Sequence, residues 1–395
     1  MPHARVRLLR TFAILAVVGL VLAACGKSKA KSGTAASGGQ TVALAFVGPL
    51  TGANANLGIN PRNGVKVAIS EANAAQSKYH FVLKAFDTQG DPAQAPGQAD
   101  KYIPDQQILG IVGPTFSGET KAVLQKLQDA GLVMISPSAT NVALPTVVPN
   151  QTVFHRVIPD DDVQAKGVAD YIEKKLKSTR VALVNDNSDY GKGLWQGVLD
   201  LLKTANIPTV ATQTVDPKSQ DYSAAVNAVK AAKPDVVFYG GYYAEAGRLK
   251  KQLTDAGVTA TFISGDGSLD QGFVDAAGAG AEGALLTCPC RRASADAGGT
   301  LAAFAAKYKS LNGSDPGTYS SEGYDAANIL IQGVEAGNTT RAKLLNYVET
   351  LTSYTGISKT IQFEDNGNVK AGDVFVYEVK SGKITELGTT TQLAS

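Results

Sequence analysis

Polar residues that suit a small charged molecule follow several apolar, strand-like segments of this sequence. Ser117 and Ser138 would offer hydroxyls and backbone N–H groups beside a helix N-terminus, whose partial positive charge suits an anion. Asp266, with Tyr242 and Tyr243, would offer a carboxylate and phenol groups, which suit a cation with an apolar tail. Together the two groups predict a site for a zwitterion.

The residue patterns of catalysis are missing or stand in the wrong context. Beyond the first 24 residues the only histidines are His80 and His155, both in or beside strand-like stretches, which argues against a Ser/His/Asp relay or a multi-histidine zinc site. The letters of a dinucleotide fingerprint at 278–283 follow a helical stretch and precede a strand, the reverse of the required order. P-loop and GxSxG patterns are absent. We expect no enzyme activity, no cofactor and no metal.

The charge balance excludes a nucleic-acid-binding protein. The chain of 395 residues carries 37 Lys and Arg against 35 Asp and Glu, and it has no basic run that would release counterions from a phosphate backbone. With 44% apolar residues it has the composition of an ordinary folded protein, and its length fits two domains.

Residues 1–24 have the features of an export signal. Three arginines precede an apolar run at 12–22 that is too short to span a bilayer, and two alanines follow it. The string Leu-Ala-Ala-Cys that ends at Cys25 resembles a bacterial lipobox, which predicts lipidation of this cysteine; a plain cleaved signal is the alternative. Residues 25–40 then form a Gly-, Ser- and Lys-rich flexible linker.

From Thr41 onward strand-like and helix-like segments alternate, which predicts an α/β fold with largely parallel sheets. The segment 108–140 is echoed at 236–268. Each has an apolar strand, a turn with glycine, a helix ending in Leu-x-Asp-Ala-Gly and a second strand ending in Ile-Ser. The echo predicts two similar lobes whose corners face each other, with Ser138 opposite Asp266.

Seven motifs in this order resemble the leucine/isoleucine/valine-binding protein family, the type 1 periplasmic binding proteins of branched-chain amino-acid ABC transporters. They are VGPLTG at 47–52, FDTQGDP at 86–92, IVGPTFSGET at 111–120, ISPSAT at 135–140, NDNSDYGKG at 185–193, YGGYYAEAG at 239–247 and EGALLT at 282–287. The resemblance implies two doubly wound lobes that close on a ligand and are joined by three crossover hinge segments.

The resemblance also implies where the chain divides. The crossover segments would lie near 157–159, 287–290 and 361–365. The N-terminal lobe would then comprise 41–157 and 291–362, and the C-terminal lobe would comprise 158–290 and 363–390.

The family's ligand contacts can be transferred to matching positions. The resemblance assigns a ligand's α-carboxylate to Ser117, Ser138 and Thr140, and its ammonium group to Tyr242 and Asp266. Structural roles are the alternative, because serines commonly cap helices and Asp266 stands in a Gly-rich turn.

Three further positions bear on the apolar end of the predicted site, and two more bear on a disulfide. Tyr190 and Tyr319 match aromatic positions that line the side-chain pocket. Leu57 stands where many members have a tyrosine, which reshapes the apolar end. Gly90 and Phe116 occupy the places of a disulfide that some members carry.

The function implied by the resemblance is that of an extracytoplasmic, lipid-anchored and monomeric solute-binding protein. It would capture a branched-chain or related amino acid and deliver it to the permease of an ABC importer. One alternative is a lipoprotein sensor of the same fold. Another is a ligand such as an amide, a urea derivative or an aromatic acid, which would leave Asp266 unpaired.

Cys288 and Cys290 stand one residue apart at a predicted crossover segment. A disulfide between them, two buried thiols, or an intermolecular bond are all compatible with this spacing. One hypothesis is that their redox state alters the stiffness of the hinge.

Overall fold

The structure is a computed structural model that describes residues 39–75, 78–370 and 372–395. The predicted signal peptide, Cys25 and nearly all of the predicted linker lie outside the described residues. The folded body begins with a strand at Gln40.

Five strands form the first sheet. They are β1 (Gln40–Gly48), β2 (Tyr79–Asp87), β3 (Ile108–Val112), β4 (Met134–Ser136) and β5 (Phe154–Arg156). All pair in parallel, in the order β2-β1-β3-β4-β5. In the interior strand β1 every side chain from Val42 to Val47 is buried, as expected for a parallel strand covered on both faces.

Seven strands form the second sheet. Its parallel part consists of β6 (Val181–Asn185), β7 (Thr209–Thr214), β8 (Val236–Gly240), β9 (Thr261–Ser264) and β10 (Leu285–Cys288). A small antiparallel pair, β11 (Tyr354–Thr355) and β12 (Thr360–Ile361), precedes β13 (Phe375–Lys380) and β14 (Lys383–Thr389). The last two strands extend the sheet in antiparallel pairing, giving the order β14-β13-β10-β9-β8-β6-β7.

Helices cover both faces of each sheet. The first sheet packs against α1 (Asn56–Ala74), α2 (Ala95–Tyr102), α3 (Ser117–Asp129) and, from later in the chain, α10 (Ser320–Glu335) and α11 (Arg341–Glu349), while α9 (Gly299–Asn312) packs on α1. The second sheet packs against α4 (Asp161–Asp170), α5 (Asp189–Thr204), α6 (Ser223–Ala232), α7 (Tyr243–Asp255), α8 (Gln271–Ala277) and α12 (Thr390–Ala394). Within the described ranges, none of these helices combines the length and apolar character that a membrane crossing requires.

The two echoed segments fold alike. Each places a helix of 13 residues, α3 or α7, between two parallel strands of its sheet. Both helices end before a glycine with positive φ, Gly131 at 55° and Gly257 at 78°, and this left-handed conformation lets the chain turn into the next strand. The two similar α/β units expected from the echo are thus present, one in each sheet.

The chain passes from one sheet to the other first after β5 and again after β10. Val157 packs in the apolar core of the first sheet, and the next residue, Ile158, packs in that of the second. Cys290 still belongs to the second core, whereas Ala293 packs with α9. Cys288 and Cys290 form a disulfide bond at this second passage, with Cα atoms 4.9 Å apart.

A third passage returns the chain to the second sheet. Phe363 pairs with Val369 in an isolated β-bridge, and both pack against the core of the first sheet. Phe375 then packs against the core of the second sheet. The passage therefore lies after Val369, beyond the segment 361–365, because the bridge holds this stretch on the first lobe.

Candidate functional site

A cavity lies where the carboxyl ends of strands from both sheets meet. The space between its atoms is about 200 Å³. It is lined by Leu57, Thr115, Phe116, Ser117, Ser138, Tyr190, Tyr242, Asp266, Gly267 and Tyr319. All the predicted ligand-binding residues except Thr140 line it. Nearly all of the residues that line the cavity are buried, so a larger molecule enters only if side chains or lobes move apart.

Hydroxyl groups form the wall of the cavity that belongs to the first lobe. Ser117 is the first residue of α3, and its Oγ accepts a hydrogen bond from the Asn141 N–H at 3.2 Å. The Ser138 Oγ donates to the Thr115 carbonyl at 2.8 Å. The Thr115 hydroxyl is buried and has no hydrogen-bond partner among the described residues. This wall, beside the N-terminus of α3, suits an anion.

Thr140 lies behind this wall. It is fully buried, and its carbonyl accepts the N–H of Asp161 at 2.9 Å. Neither its hydroxyl nor the oxygens of the nearby, buried Asp161 carboxylate have a hydrogen-bond partner among the described residues. Thr140 therefore connects the first lobe to the start of α4 through its backbone, and it is not among the residues that line the cavity.

A carboxylate held by two tyrosines forms the opposite wall. Asp266 follows β9, and its Oδ1 accepts a hydrogen bond from the Tyr190 hydroxyl at 2.7 Å. Its Oδ2 accepts one from the Tyr319 hydroxyl. The Tyr190 oxygen also accepts the Gly267 N–H at 3.0 Å. Tyr190 and Tyr319 thus direct their hydroxyls to Asp266, and because Tyr319 precedes α10 of the first lobe, this contact joins the lobes.

The electrostatics of this wall favour a cation. Burial raises the pKa of Asp266, and the hydrogen bonds from Tyr319 and Tyr190 oppose that rise. Asp161 is also buried nearby, and burial followed by the charge of Asp266 raises its pKa well above the ordinary value. In the described part of the chain no lysine or arginine forms an ion pair with Asp266. A positive group placed here would meet a negative wall that has no cation of its own.

An aromatic pair closes one side of the cavity. The rings of Phe116 and Tyr242 stack with centroids 4.1 Å apart and planes 18° apart, and Tyr190 contacts Tyr242 at 5.2 Å. Leu57, Phe116 and Tyr319 come from first-lobe segments but pack in the apolar core of the second sheet. The family resemblance indicates Phe116 only as the place of a disulfide that some members carry. Phe116 stands directly before α3, as Tyr242 stands directly before α7, and this shared position in the sequence could have identified it as a site residue.

Arg156 and Glu119 position the first wall, and neither was identified from the sequence. The Arg156 side chain is fully buried, and its Nη1 donates to the carbonyls of Ala139 at 3.1 Å and Asn141 at 3.0 Å. Its Nη2 contacts Asp160 at 3.3 Å. Arg156 therefore fixes the loop after β4 to the first passage between the lobes.

Glu119 fixes the start of α3. It accepts hydrogen bonds from the Phe116 N–H, at 3.1 Å, and from the Thr88 hydroxyl. Burial raises the pKa of Glu119 to about 7, against the opposing effect of these hydrogen bonds. The carboxyl group thereby holds Phe116 and Ser117 in place at the cavity.

Hydrogen bonds also join the two lobes at the rim of the cavity. The Asn54 Nδ2 donates to Glu245 at 3.0 Å, and the Asn56 Nδ2 donates to Asp270 at 2.8 Å. These contacts, with the bond between Tyr319 and Asp266, hold the lobes in a closed arrangement.

Comparisons with known proteins agree on one family. The sequence profile of the periplasmic binding protein family matches residues 41–383. The chain is 31% identical over 348 residues to the Leu/Ile/Val-binding protein BraC3 of Rhizobium johnstonii, which covers 87% of this chain and 93% of that protein. It is 28% identical over 375 residues to the leucine-, isoleucine-, valine-, threonine- and alanine-binding protein of Pseudomonas aeruginosa, which covers 94% of this chain and 95% of that one.

Among solved structures, the branched-chain amino acid transporter substrate-binding protein LivJ of Streptococcus pneumoniae, in complex with isoleucine, has the same fold. It superimposes with a TM-score of 0.79 at 24% identity, covering 88% of this chain and 100% of that one. The α/β class with two lobes and mainly parallel sheets is confirmed, as is the resemblance drawn from the motifs. The chain belongs to the periplasmic binding protein family and is a relative of its Leu/Ile/Val-binding proteins.

Proposed function

We propose that this protein captures a branched-chain or closely related amino acid between its two lobes and delivers it to the permease of an ABC importer. In this proposal it is a monomeric extracytoplasmic protein, anchored to the cell membrane through a lipid on Cys25. The observation that carries the proposal is the buried carboxylate of Asp266, which has no lysine or arginine partner among the described residues and lies across one cavity from a wall of hydroxyls. The relatives are binding proteins and not enzymes, which supports a role without catalysis.

The walls of the cavity suit the three parts of such a ligand. The α-carboxylate would bind Ser117 and the unpartnered Thr115 hydroxyl, beside the N-terminus of α3. The ammonium group would bind Asp266. The apolar side chain would pack on Leu57 and Phe116. Because Ser138 already donates its hydroxyl hydrogen to Thr115, its contribution in this arrangement is to shape the wall.

Binding energy would come from both lobes together. Burying a leucine-sized side chain contributes about 1.5 to 3 kcal/mol, and each hydrogen bond to a charged group adds about 1.5 to 3 kcal/mol. Only the closed form brings both walls to the ligand, so the ligand stabilises closure by its differential affinity. The hydroxyls of Tyr190 and Tyr319 each occupy one oxygen of Asp266, and these oxygens can accept further hydrogen bonds from the ammonium group.

The decisive experiment measures which class of molecule binds. The protein is unfolded, dialysed and refolded to remove bound molecules, and then titrated calorimetrically with leucine, isoleucine, valine, an amide, a urea derivative and benzoate. We expect binding of the amino acids. Binding of the amide, the urea derivative or benzoate without the amino acids would contradict the proposal.

The variant Asp266→Asn tests the ammonium contact. Loss of the charge leaves the ammonium group without its counter-ion, so we expect affinity for leucine to fall by about 100-fold or more. The matched control is Asp255→Asn on the surface, where a 61% exposed carboxylate pairs only with Lys251 of the same helix. Equal leucine affinity in Asp266→Asn and the control would reject the ammonium role.

A further inference from the structure

The stacked pair of Phe116 and Tyr242 separates the cavity from a second, larger space. This outer groove has about 1570 Å³ of space between its atoms and is open to solvent, compared with about 200 Å³ in the cavity. Both Phe116 and Tyr242 line both spaces. The two rings are therefore the partition between an enclosed site and a groove that has room for a much larger group.

The partition is built from equivalent residues of the two echoed segments. Phe116 directly precedes α3 and Tyr242 directly precedes α7, so each is fixed by the start of a helix. The Phe116 backbone is held further by the carboxylate of Glu119. Since one ring comes from each lobe, the stack exists only while the lobes are closed.

The Phe116 ring has little freedom to move aside. It is 5% exposed, and Tyr242 covers one of its faces. A Cβ atom added at Gly90 would lie 3.1 Å from the Phe116 Cε2, so the loop at Gly90 passes close to the ring edge and leaves space for it because residue 90 has no side chain. Substituting Phe116 by a small residue would join the cavity to the outer groove.

We propose that Phe116 is a specificity-determining residue that limits the ligand to amino acids with compact aliphatic side chains. This inference rests on the proposed function of amino-acid binding. With the Phe116 ring in place, the stacked pair limits the length of a ligand side chain inside the cavity. Without the ring, aromatic and long side chains extend into the outer groove.

The test compares a small and a large probe in the same variant. Dissociation constants for L-leucine and L-phenylalanine are measured by calorimetry with the ligand-stripped full chain and with Phe116→Ala. We expect the unmodified protein to prefer leucine, and Phe116→Ala to reduce the ratio of the phenylalanine to the leucine dissociation constant by at least about tenfold, the scale on which pocket shape discriminates between apolar side chains.

Two variants keep the test interpretable. Phe304→Ala truncates another buried phenylalanine of the first lobe, packed on Tyr308 and Tyr324 and outside the cavity lining, and should leave the ratio unchanged. Phe116→Leu preserves an apolar side chain if the alanine variant does not fold, and should shift the ratio in the same direction by a smaller factor.

The outcomes separate this inference from the proposed function. If leucine binds the unmodified protein but both Phe116 variants weaken the two amino acids equally, Phe116 only stabilises closure and the inference is overturned. If the unmodified protein binds neither amino acid, the proposed function itself is overturned. A selective gain for phenylalanine in the Phe116 variants supports the inference.

Discussion

The two echoed segments share a backbone plan but differ in the chemistry that they bring to the cavity. After β4 the first segment offers the hydroxyl of Ser138, and at the corresponding place after β9 the second offers the carboxylate of Asp266. The residues before the helices, Phe116 and Tyr242, keep an aromatic character and meet each other. The same backbone plan thus supplies the geometry on both sides of the site, and different residues at a few strand ends make one side neutral and the other negatively charged.

The third residue of each helix shows the same divergence. Glu119 in α3 bonds within its own lobe, to the Phe116 N–H. Glu245 in α7 reaches the other lobe and accepts from Asn54 at 3.0 Å. Both carboxyl groups are buried, yet one supports the cavity wall and the other joins the lobes. Equivalent positions thus divide the tasks of shaping the site and closing it.

A substitution of Arg156, which holds the first wall in place, should have the largest effect on stability. Arg156→Met removes a fully buried guanidinium and leaves the carbonyls of Ala139 and Asn141 and the carboxylate of Asp160 without their donor. We expect the free energy of unfolding to fall by about 3 to 5 kcal/mol in urea titrations.

The control for Arg156→Met is Arg180→Met in the second lobe. Arg180 is exposed and also donates to two carbonyls, those of Lys233 and Ala232. Its loss should cost under about 1 kcal/mol. A similar decrease in the free energy of unfolding in both variants would show that the buried contacts of Arg156 do not stabilise the first wall.

The pH dependence of stability tests the paired glutamates. The pKa of Glu119 is raised from 4.5 to about 7, so the folded protein binds this proton more tightly than the unfolded chain. The resulting stabilisation is fully present below about pH 4.5 and is lost as the pH rises through about 7, a change of roughly 3 kcal/mol. Glu119→Gln should therefore reduce the loss of stability between pH 5 and pH 8, measured by urea unfolding.

Two other groups refine this pH experiment. The pKa of Asp325 is also raised to about 7 by burial, so part of the pH dependence persists in Glu119→Gln. Burial raises the pKa of Glu245 as well. Glu245→Gln should therefore also reduce the loss of stability between pH 5 and pH 8. An unaltered pH dependence in Glu119→Gln would mean that its carboxyl group titrates alike in the folded and unfolded chain.

The smallest expected effect concerns the second passage between the lobes. The disulfide of Cys288 and Cys290 closes a very short loop, so its contribution to stability should remain under about 2 kcal/mol. Because it lies between the lobes, we expect a reductant to change leucine affinity by a few-fold, measured by calorimetry. The variant with both cysteines replaced by serine should match the reduced protein. Equal affinities in all three forms would remove the hypothesis of a redox-sensitive hinge.

The sequence predicted the parts of the site that depend on local pattern. The echo anticipated the turns at Gly131 and Gly257, and Ser138 and Asp266 do line one cavity. It did not anticipate that Tyr319 would bond to Asp266, because the two are far apart in sequence and meet only through the closure of the lobes.

The features that the sequence did not predict depend on side-chain direction. Thr140 is not among the residues that line the cavity, and the buried Arg156 contacts segments that are remote in the chain, including Asn368 at 2.9 Å. Nothing in a period or a motif specifies such contacts. The transferred roles of the site residues stay predictions until binding is measured.

The two phenol groups on Asp266 have a consequence for release. Each carboxylate oxygen can accept more than one hydrogen bond, so the hydroxyls of Tyr190 and Tyr319 leave Asp266 able to accept from a further donor. After a ligand leaves, these two hydroxyls keep the buried carboxylate hydrogen-bonded. The two tyrosines therefore lower the free-energy cost of keeping this carboxylate buried in an empty site.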